Sequence, residues 1–148
     1  IVTIAGFGIM SNGYEFLPPM GYWPPAAPLA WMFVALVALG FAFTWWARLY
    51  LGTLWSASVT IKPDHKVVDT GPYALVRHPI YTGMIFAAAM TAATIGSGTA
   101  FLGAAIMALG LWIKARLEEN FIRQELGADA YDSYRARVPM LVPFLHIG

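Results

Sequence analysis

The side chains best equipped for chemistry lie in two stretches of the chain. The first runs Asp64-His65-Lys66-Val67-Val68, then Gly71-Pro72-Tyr73, then Arg77-His78-Pro79-Ile80-Tyr81. The second begins at Lys114, reaches the carboxylates Glu118 and Glu119, and continues to Arg123. On a helix, Lys114 with Glu118 and Glu119 with Arg123 are i,i+4 neighbours, pairs that stabilise an exposed helix by about 0.2–0.5 kcal/mol each. His65 and His78 lack the spacing of a known metal site, and no metal ligand set is expected. No Gly-rich phosphate loop, nucleophile elbow or paired histidines on a helix are present. The chain has no cysteine, which excludes disulfides, thiolate metal sites and a cysteine nucleophile. A formal net charge of +1 provides no basic footprint, so a nucleic-acid partner is not expected.

The elements that position these residues follow from where the charge is missing. The 148 residues are 59% hydrophobic and 11% charged, whereas an average soluble domain is about 25% charged. Too little polar surface remains to face water, so the chain reads as a single-domain, all-α, polytopic integral membrane protein of about three to four transmembrane helices. Its amino-terminal part, residues 1–50, reads as membrane helices, and residues 51–148 as the region carrying the chemistry. Neither Phe16–Ala47 nor Pro79–Ile113 contains an Asp, Glu, Lys or Arg. Prolines at 18, 19, 24, 25 and 28 keep a helix from starting early, so the first long one is expected from Pro28 to Tyr50. That length reaches roughly 34 Å, enough for a hydrocarbon core of about 30 Å. The second silent span is broken by Gly96-Ser97-Gly98, a turn between two apolar runs. It predicts a hairpin, Ile80 to Ile95 out and Thr99 back, with the returning helix continuing into water as far as Leu126. The outgoing arm is rich in Ala, Gly and Thr from Thr82 to Ala93, small residues that let membrane helices approach closely. Ile1 to Met10 is expected to be the tail of a membrane helix whose beginning is missing.

This topology places all nine Lys and Arg on one side of the membrane, which the positive-inside rule makes cytoplasmic. Glu15 and the segment Leu17 to Pro28 then lie on the other side. The linker from Leu51 to Arg77 is long for a bare connection and reads as a functional loop. Two readings of its end stay open on the residues alone. Arg77 and His78 are interfacial anchors, with Tyr73 and Tyr81 in an aromatic belt, or they form a site with Lys114 and Glu118, ionisable groups within about one turn of the boundary. Tyr131 and Tyr134 share a helical face ahead of Arg137-Val138-Pro139 and read as a polar cap.

Taken together, the ordered motifs resemble the isoprenylcysteine carboxyl methyltransferase family. The resemblance rests on His65-Lys66-Val67-Val68, Gly71 and Tyr73, Arg77-His78-Pro79-x-Tyr81-x-Gly83, a hairpin, Glu118-Glu119, and Leu126-Gly127-x-x-x-Tyr131-x-x-Tyr134-x-x-x-Val138-Pro139-x-x-x-Pro143. It implies a membrane enzyme that binds S-adenosylmethionine in a cytosol-facing pocket closed by the C-terminal segment, with a lipophilic substrate entering from the bilayer. By resemblance, His65, Lys66, Val67 and Val68 line the cofactor, Tyr73 contacts it, His78, Pro79, Ile80 and Tyr81 form the pocket floor, and Glu118 binds it. Lys114 stands where eukaryotic members have an arginine assigned to substrate, a departure that keeps the charge but loses the bidentate fork. The amino-terminal part is also shorter than in the family.

Methyl transfer from a sulfonium disperses charge, so positioning and exclusion of water are the main levers. A carboxylate or thiolate acceptor needs no general base, and Lys114 could hold a carboxylate. An amine acceptor needs a base, for which Glu119 is the candidate. The expected function is thus transfer of a methyl group to a lipophilic, isoprenylcysteine-like carboxylate on a small molecule or prenylated protein. The alternatives are a phospholipid N-methyltransferase, a relative of the sterol reductases, against which His65 and the Arg77-His78-Pro79 run argue, and a non-catalytic subunit partnering another membrane protein.

Overall fold

The computed structural model describes residues 1–17, 20–52, 68–126 and 128–145. His65, Lys66 and Val67 lie outside the described residues. Among the described residues every regular element is a helix and there is no strand. The helices are α1 (Val2–Phe16), α2 (Ala27–Leu51), α3 (Pro72–Leu75), α4 (Pro79–Ile95), α5 (Gly98–Leu126) and α6 (Ala128–Arg137). The boundaries follow from local chemistry. Pro28 and Pro79 sit in the first turns of α2 and α4, where a missing N–H costs nothing. Gly96 ends α4 in the left-handed conformation at φ 65, and its amide donates to the Ala92 carbonyl. A side chain there would also collide with the Trp23 carbonyl at 2.5 Å. Ser97 then starts α5, its Oγ accepting from the Ala100 amide at 3.1 Å.

The four long helices lie side by side in the order α1, α5, α4, α2. Small residues set how closely they approach. A Cβ on Gly40 of α2 would lie 2.9 Å from the Gly83 carbonyl of α4, and one on Gly83 would lie 2.6 Å from the Gly40 carbonyl. The same device joins α1 to α5, where a Cβ on Gly6 would lie 2.7 Å from the Gly103 carbonyl. Thr44 adds a polar tie, its hydroxyl lying 3.0 Å from the Gly40 carbonyl and 3.3 Å from the Ile80 carbonyl. The buried core lies between α1, α4 and α5 and includes Met10, Ala88, Ala92, Ala100, Ala104, Met107 and Leu111. The expected small-residue face of the outgoing arm is therefore a packing face, with Ala87, Ala88 and Ala92 buried.

Two helices, Ala27–Leu51 and Gly98–Gln124, are long and apolar enough to cross a membrane, and α4 is a shorter apolar helix. Trp31, Leu39, Phe41, Trp45 and Leu49 stand exposed on α2, an apolar surface suited to lipid. The expected helices are present with ends shifted by a residue. The helix that includes Ile1 to Met10 runs on to Phe16 and packs along α5. The close approach of Gly6, Gly103 and Gly110 holds it there, a pairing between distant segments that no local pattern announces.

Candidate functional site

The polar residues of the two sequence stretches converge where α4 begins and α5 passes beside it. Val76 precedes α4 in extended backbone, and Pro79 fixes the first turn, so Arg77 and His78 sit at the helix entrance. Tyr81 follows one turn on. From α5, Glu118 and Glu119 face this entrance on adjacent sides.

Glu118 is the carboxylate of the open side. Its Oε1 accepts a hydrogen bond from the Tyr81 hydroxyl at 2.6 Å and lies 3.8 Å from Lys114 Nζ. Its Oε2 is 3.7 Å from His78 Nδ1. The His78 and Tyr81 rings stack in parallel, 5.5 Å between centroids and 3° apart, and Lys114 Nζ lies 5.4 Å from the Tyr81 centroid. The Lys114 side chain is 50% exposed and that of Glu118 23%, so this edge of the cluster is open.

Glu119 is the carboxylate of the closed side, at 3% exposure. Arg77 Nε donates to its Oε1 at 2.7 Å and Arg77 Nη2 to its Oε2 at 3.3 Å. His78 Nε2 stands 3.1 Å from the same Oε1. Arg77 Nη1 donates to the carbonyls of Arg135 and Val138 at 3.1 and 2.6 Å. Among the described residues no buried side-chain polar atom lacks a partner, the condition under which a buried ion pair is tolerated.

The C-terminal segment closes this side. The Arg77 and His78 amides donate to the carbonyls of Pro139 and Met140 at 2.8 and 3.1 Å, and the Thr82 hydroxyl donates to that of Leu141 at 2.7 Å. The Tyr134 hydroxyl donates to the Tyr73 carbonyl at 2.7 Å, and the Tyr73 hydroxyl to the Ala47 carbonyl at 3.4 Å. Burial pushes the Tyr73 hydroxyl up to about 12, against the lowering effect of Arg48. Burial also raises Tyr131 and Tyr134; the Glu119 charge adds to this for Tyr131, while Arg77 opposes it for Tyr134.

The structure thus brings together Tyr73, His78, Pro79, Tyr81, Lys114, Glu118 and Glu119. Ile80 contributes its carbonyl to Thr44, and Val68 lies beside Asp69, which pairs with Arg137 at 3.3 Å. One expectation needs correction and one is refined. Glu119 and Arg123 do not pair, since Glu119 is taken by Arg77 and His78, and Arg123 reaches Asp132 of α6 at 2.7 Å. Tyr131 and Tyr134, read as part of a polar cap, are in the cap's buried interior, each 4% exposed. Sequence reasoning missed the contacts of Arg77 with the C-terminal carbonyls. The one available signal was an arginine next to a histidine with a second glutamate, Glu119, beside Glu118 elsewhere in the chain.

With this geometry in place, the class of protein is a membrane helix bundle with a polar cluster at the mouth of a helical hairpin. The description of the isoprenylcysteine carboxyl methyltransferase (ICMT) family matches residues 33–124, more than half of the chain, and the chain belongs to that family. It is 34% identical over 86 residues to a protein-S-isoprenylcysteine O-methyltransferase of Schizosaccharomyces pombe, covering 55% of this chain and 35% of that protein. It is 38% identical over 72 residues to methanethiol S-methyltransferase 1 of Bradyrhizobium diazoefficiens, covering 49% of this chain and 24% of that protein. The matches therefore span about a third and a quarter of these relatives.

Proposed function

We propose that the protein is an integral membrane methyltransferase that moves a methyl group from S-adenosylmethionine to a lipophilic acceptor. Family membership supports the reaction class, and the cluster around Glu118 carries the assignment of the site. A part-exposed carboxylate, an aromatic hydroxyl and two stacked rings suit a cofactor that presents an ammonium group, a sulfonium and a flat base. The residues present fit it. Glu118, Tyr81, His78, Pro79, Ile80, Tyr73 and Val68 would hold the cofactor together with His65, Lys66 and Val67. When bound, S-adenosylmethionine supplies the methyl group as an electrophile.

The acceptor is proposed to be an anion, an isoprenylcysteine-like carboxylate on a small molecule or prenylated protein. The supporting observation is the state of Glu119, the residue an amine acceptor would need as its base. It is 3% exposed, and both of its oxygens are engaged by Arg77. An anionic acceptor dispenses with that base, and Lys114, half exposed beside Glu118, offers it a cation. A thiolate would serve equally on chemical grounds, and the similarity to a methanethiol S-methyltransferase favours keeping that second reading. The bundle is proposed to span the bilayer three to four times, with the site on the cytoplasmic side where the Lys and Arg gather.

The test is calorimetric titration of the purified protein with S-adenosylmethionine, followed by product analysis with a prenylcysteine and a thiol. Binding that weakens at least tenfold in Glu118→Ala and His78→Ala, with a methyl ester or thioether formed, supports the proposal. Unchanged affinity in both variants removes this site, and an N-methyl product overturns the acceptor class.

A further inference from the structure

The C-terminal segment and the His78 ring are connected through two buried side chains. Arg77 points in two directions, its Nη1 to the carbonyls of Arg135 and Val138, its Nε and Nη2 to Glu119. Glu119 Oε1 in turn faces His78 Nε2 at 3.1 Å. The backbone runs in parallel with this chain of contacts, since the amides of Arg77 and His78 hold the carbonyls of Pro139 and Met140.

An ionised carboxylate offers only acceptors, so its contact with Nε2 requires that nitrogen to carry a proton. The ring edge bearing Nδ1 is then turned toward Glu118, with Nδ1 3.7 Å from Oε2. In a neutral ring that edge is an acceptor, and its orientation is set from the far side of the imidazole. Orientation of a ring through its second nitrogen is the role that carboxylates play behind histidines at many sites.

We propose that Glu119 is a positioning residue: it fixes the His78 ring through the Nε2 proton and, through Arg77, ties that ring to the strap formed by residues 135–141. The strap is therefore more than a cover, because displacing it loosens Arg77, then Glu119, then the imidazole that stacks on Tyr81. This proposal deepens the methyltransferase reading and rests on it only for what the oriented ring serves.

The test reads the ring directly in ligand-free protein. Protein labelled with 15N-histidine is observed in detergent micelles, with the His78 signals assigned by their loss in His78→Gln. The proton is expected on Nε2 in the unmodified chain. Arg77→Lys keeps the charge but loses the fork, and is expected to shift the His78 nitrogen signals and weaken S-adenosylmethionine binding at least tenfold. Asp132→Ala cuts a different tie between α5 and α6 and is expected to leave the His78 signals in place, with affinity within twofold. An Nε2 without a proton in the unmodified chain overturns the proposal, as do His78 signals unmoved by Arg77→Lys. If Arg77→Lys does not fold, the protonation of Nε2 in the unmodified chain decides alone. A protein that shows the protonated Nε2 but binds no S-adenosylmethionine leaves Glu119 as assigned and sinks the methyltransferase reading instead.

Discussion

Replacing Glu119 with alanine leaves the Arg77 guanidinium without a counter-ion in a place where the two side chains are each 4% exposed. Three contacts vanish, those from Arg77 Nε at 2.7 Å, Arg77 Nη2 at 3.3 Å and His78 Nε2 at 3.1 Å. Breaking a buried pair from one side costs about 3–5 kcal/mol, because the remaining charge stays desolvated. Glu119→Gln keeps the volume and one acceptor, and should cost about 1–3 kcal/mol. A double replacement, Arg77→Met with Glu119→Leu, removes the stranded charge. It also leaves the carbonyls of Arg135 and Val138 without their donor, so it should recover part of the loss and not all of it. The exposed pair Arg123–Asp132, at 49% and 39% exposure, provides the contrast. Asp132→Ala should change stability by no more than about 1 kcal/mol. Unfolding in mixed micelles with a rising fraction of sodium dodecyl sulfate, followed by the fluorescence of the six tryptophans, measures all four variants. A loss for Glu119→Ala as small as that for Asp132→Ala would refute the claim that this pair is dry and fully engaged.

Other outcomes follow from the same geometry. Lys114→Met removes an ion pair at 3.8 Å on a half-exposed side chain, so it should change stability by only about 0.2–0.5 kcal/mol; a fall in acceptor kcat/KM of tenfold or more, with S-adenosylmethionine affinity intact by calorimetry, would identify Lys114 as the acceptor's cation, and no kinetic change would make it an anchor. Gly83→Leu must push α4 off α2, since even a Cβ there lies 2.6 Å from the Gly40 carbonyl; it should destabilise by about 1–3 kcal/mol or more in the same unfolding assay. Gly8 has open space around it, so Gly8→Ala should stabilise α1 by about 0.5–1 kcal/mol. The chain has no cysteine, so Ser97→Cys and Asp69→Cys can be labelled singly; an impermeant maleimide should reach them from opposite faces of the membrane, and labelling from one face would defeat the topology.

The helices were legible because their signals are local. Pro28 and Pro79 open helices, Gly96 closes one, and the absence of charge from Pro79 to Ile113 marks the hairpin. The pairing of α1 with α5 was not legible, since Gly6 and Gly103 are informative only once they are known to touch. The candidate site divides in the same way. Lys114 and Glu118 lie four residues apart on one helix, and their contact follows from helical spacing. Periodicity offered Arg123 as the partner of Glu119, and the fold gave it Arg77, 42 residues earlier in the chain. The exchange has a physical reason. An exposed i,i+4 pair is worth a few tenths of a kcal/mol, whereas a guanidinium buried at the entrance of α4 requires a carboxylate wherever the fold can supply one. With Glu119 claimed by Arg77, Arg123 pairs with Asp132, and that contact joins α6 to α5. The C-terminal segment is held mainly by the Arg77 side-chain contacts with the Arg135 and Val138 carbonyls and by the Arg77 and His78 amides, with the exposed Arg123–Asp132 pair a minor tie. Tyr131 and Tyr134 are buried there in an apolar cluster with Val138 and Ile122 of α5, which packs the segment in place around the carbonyls that Arg77 contacts.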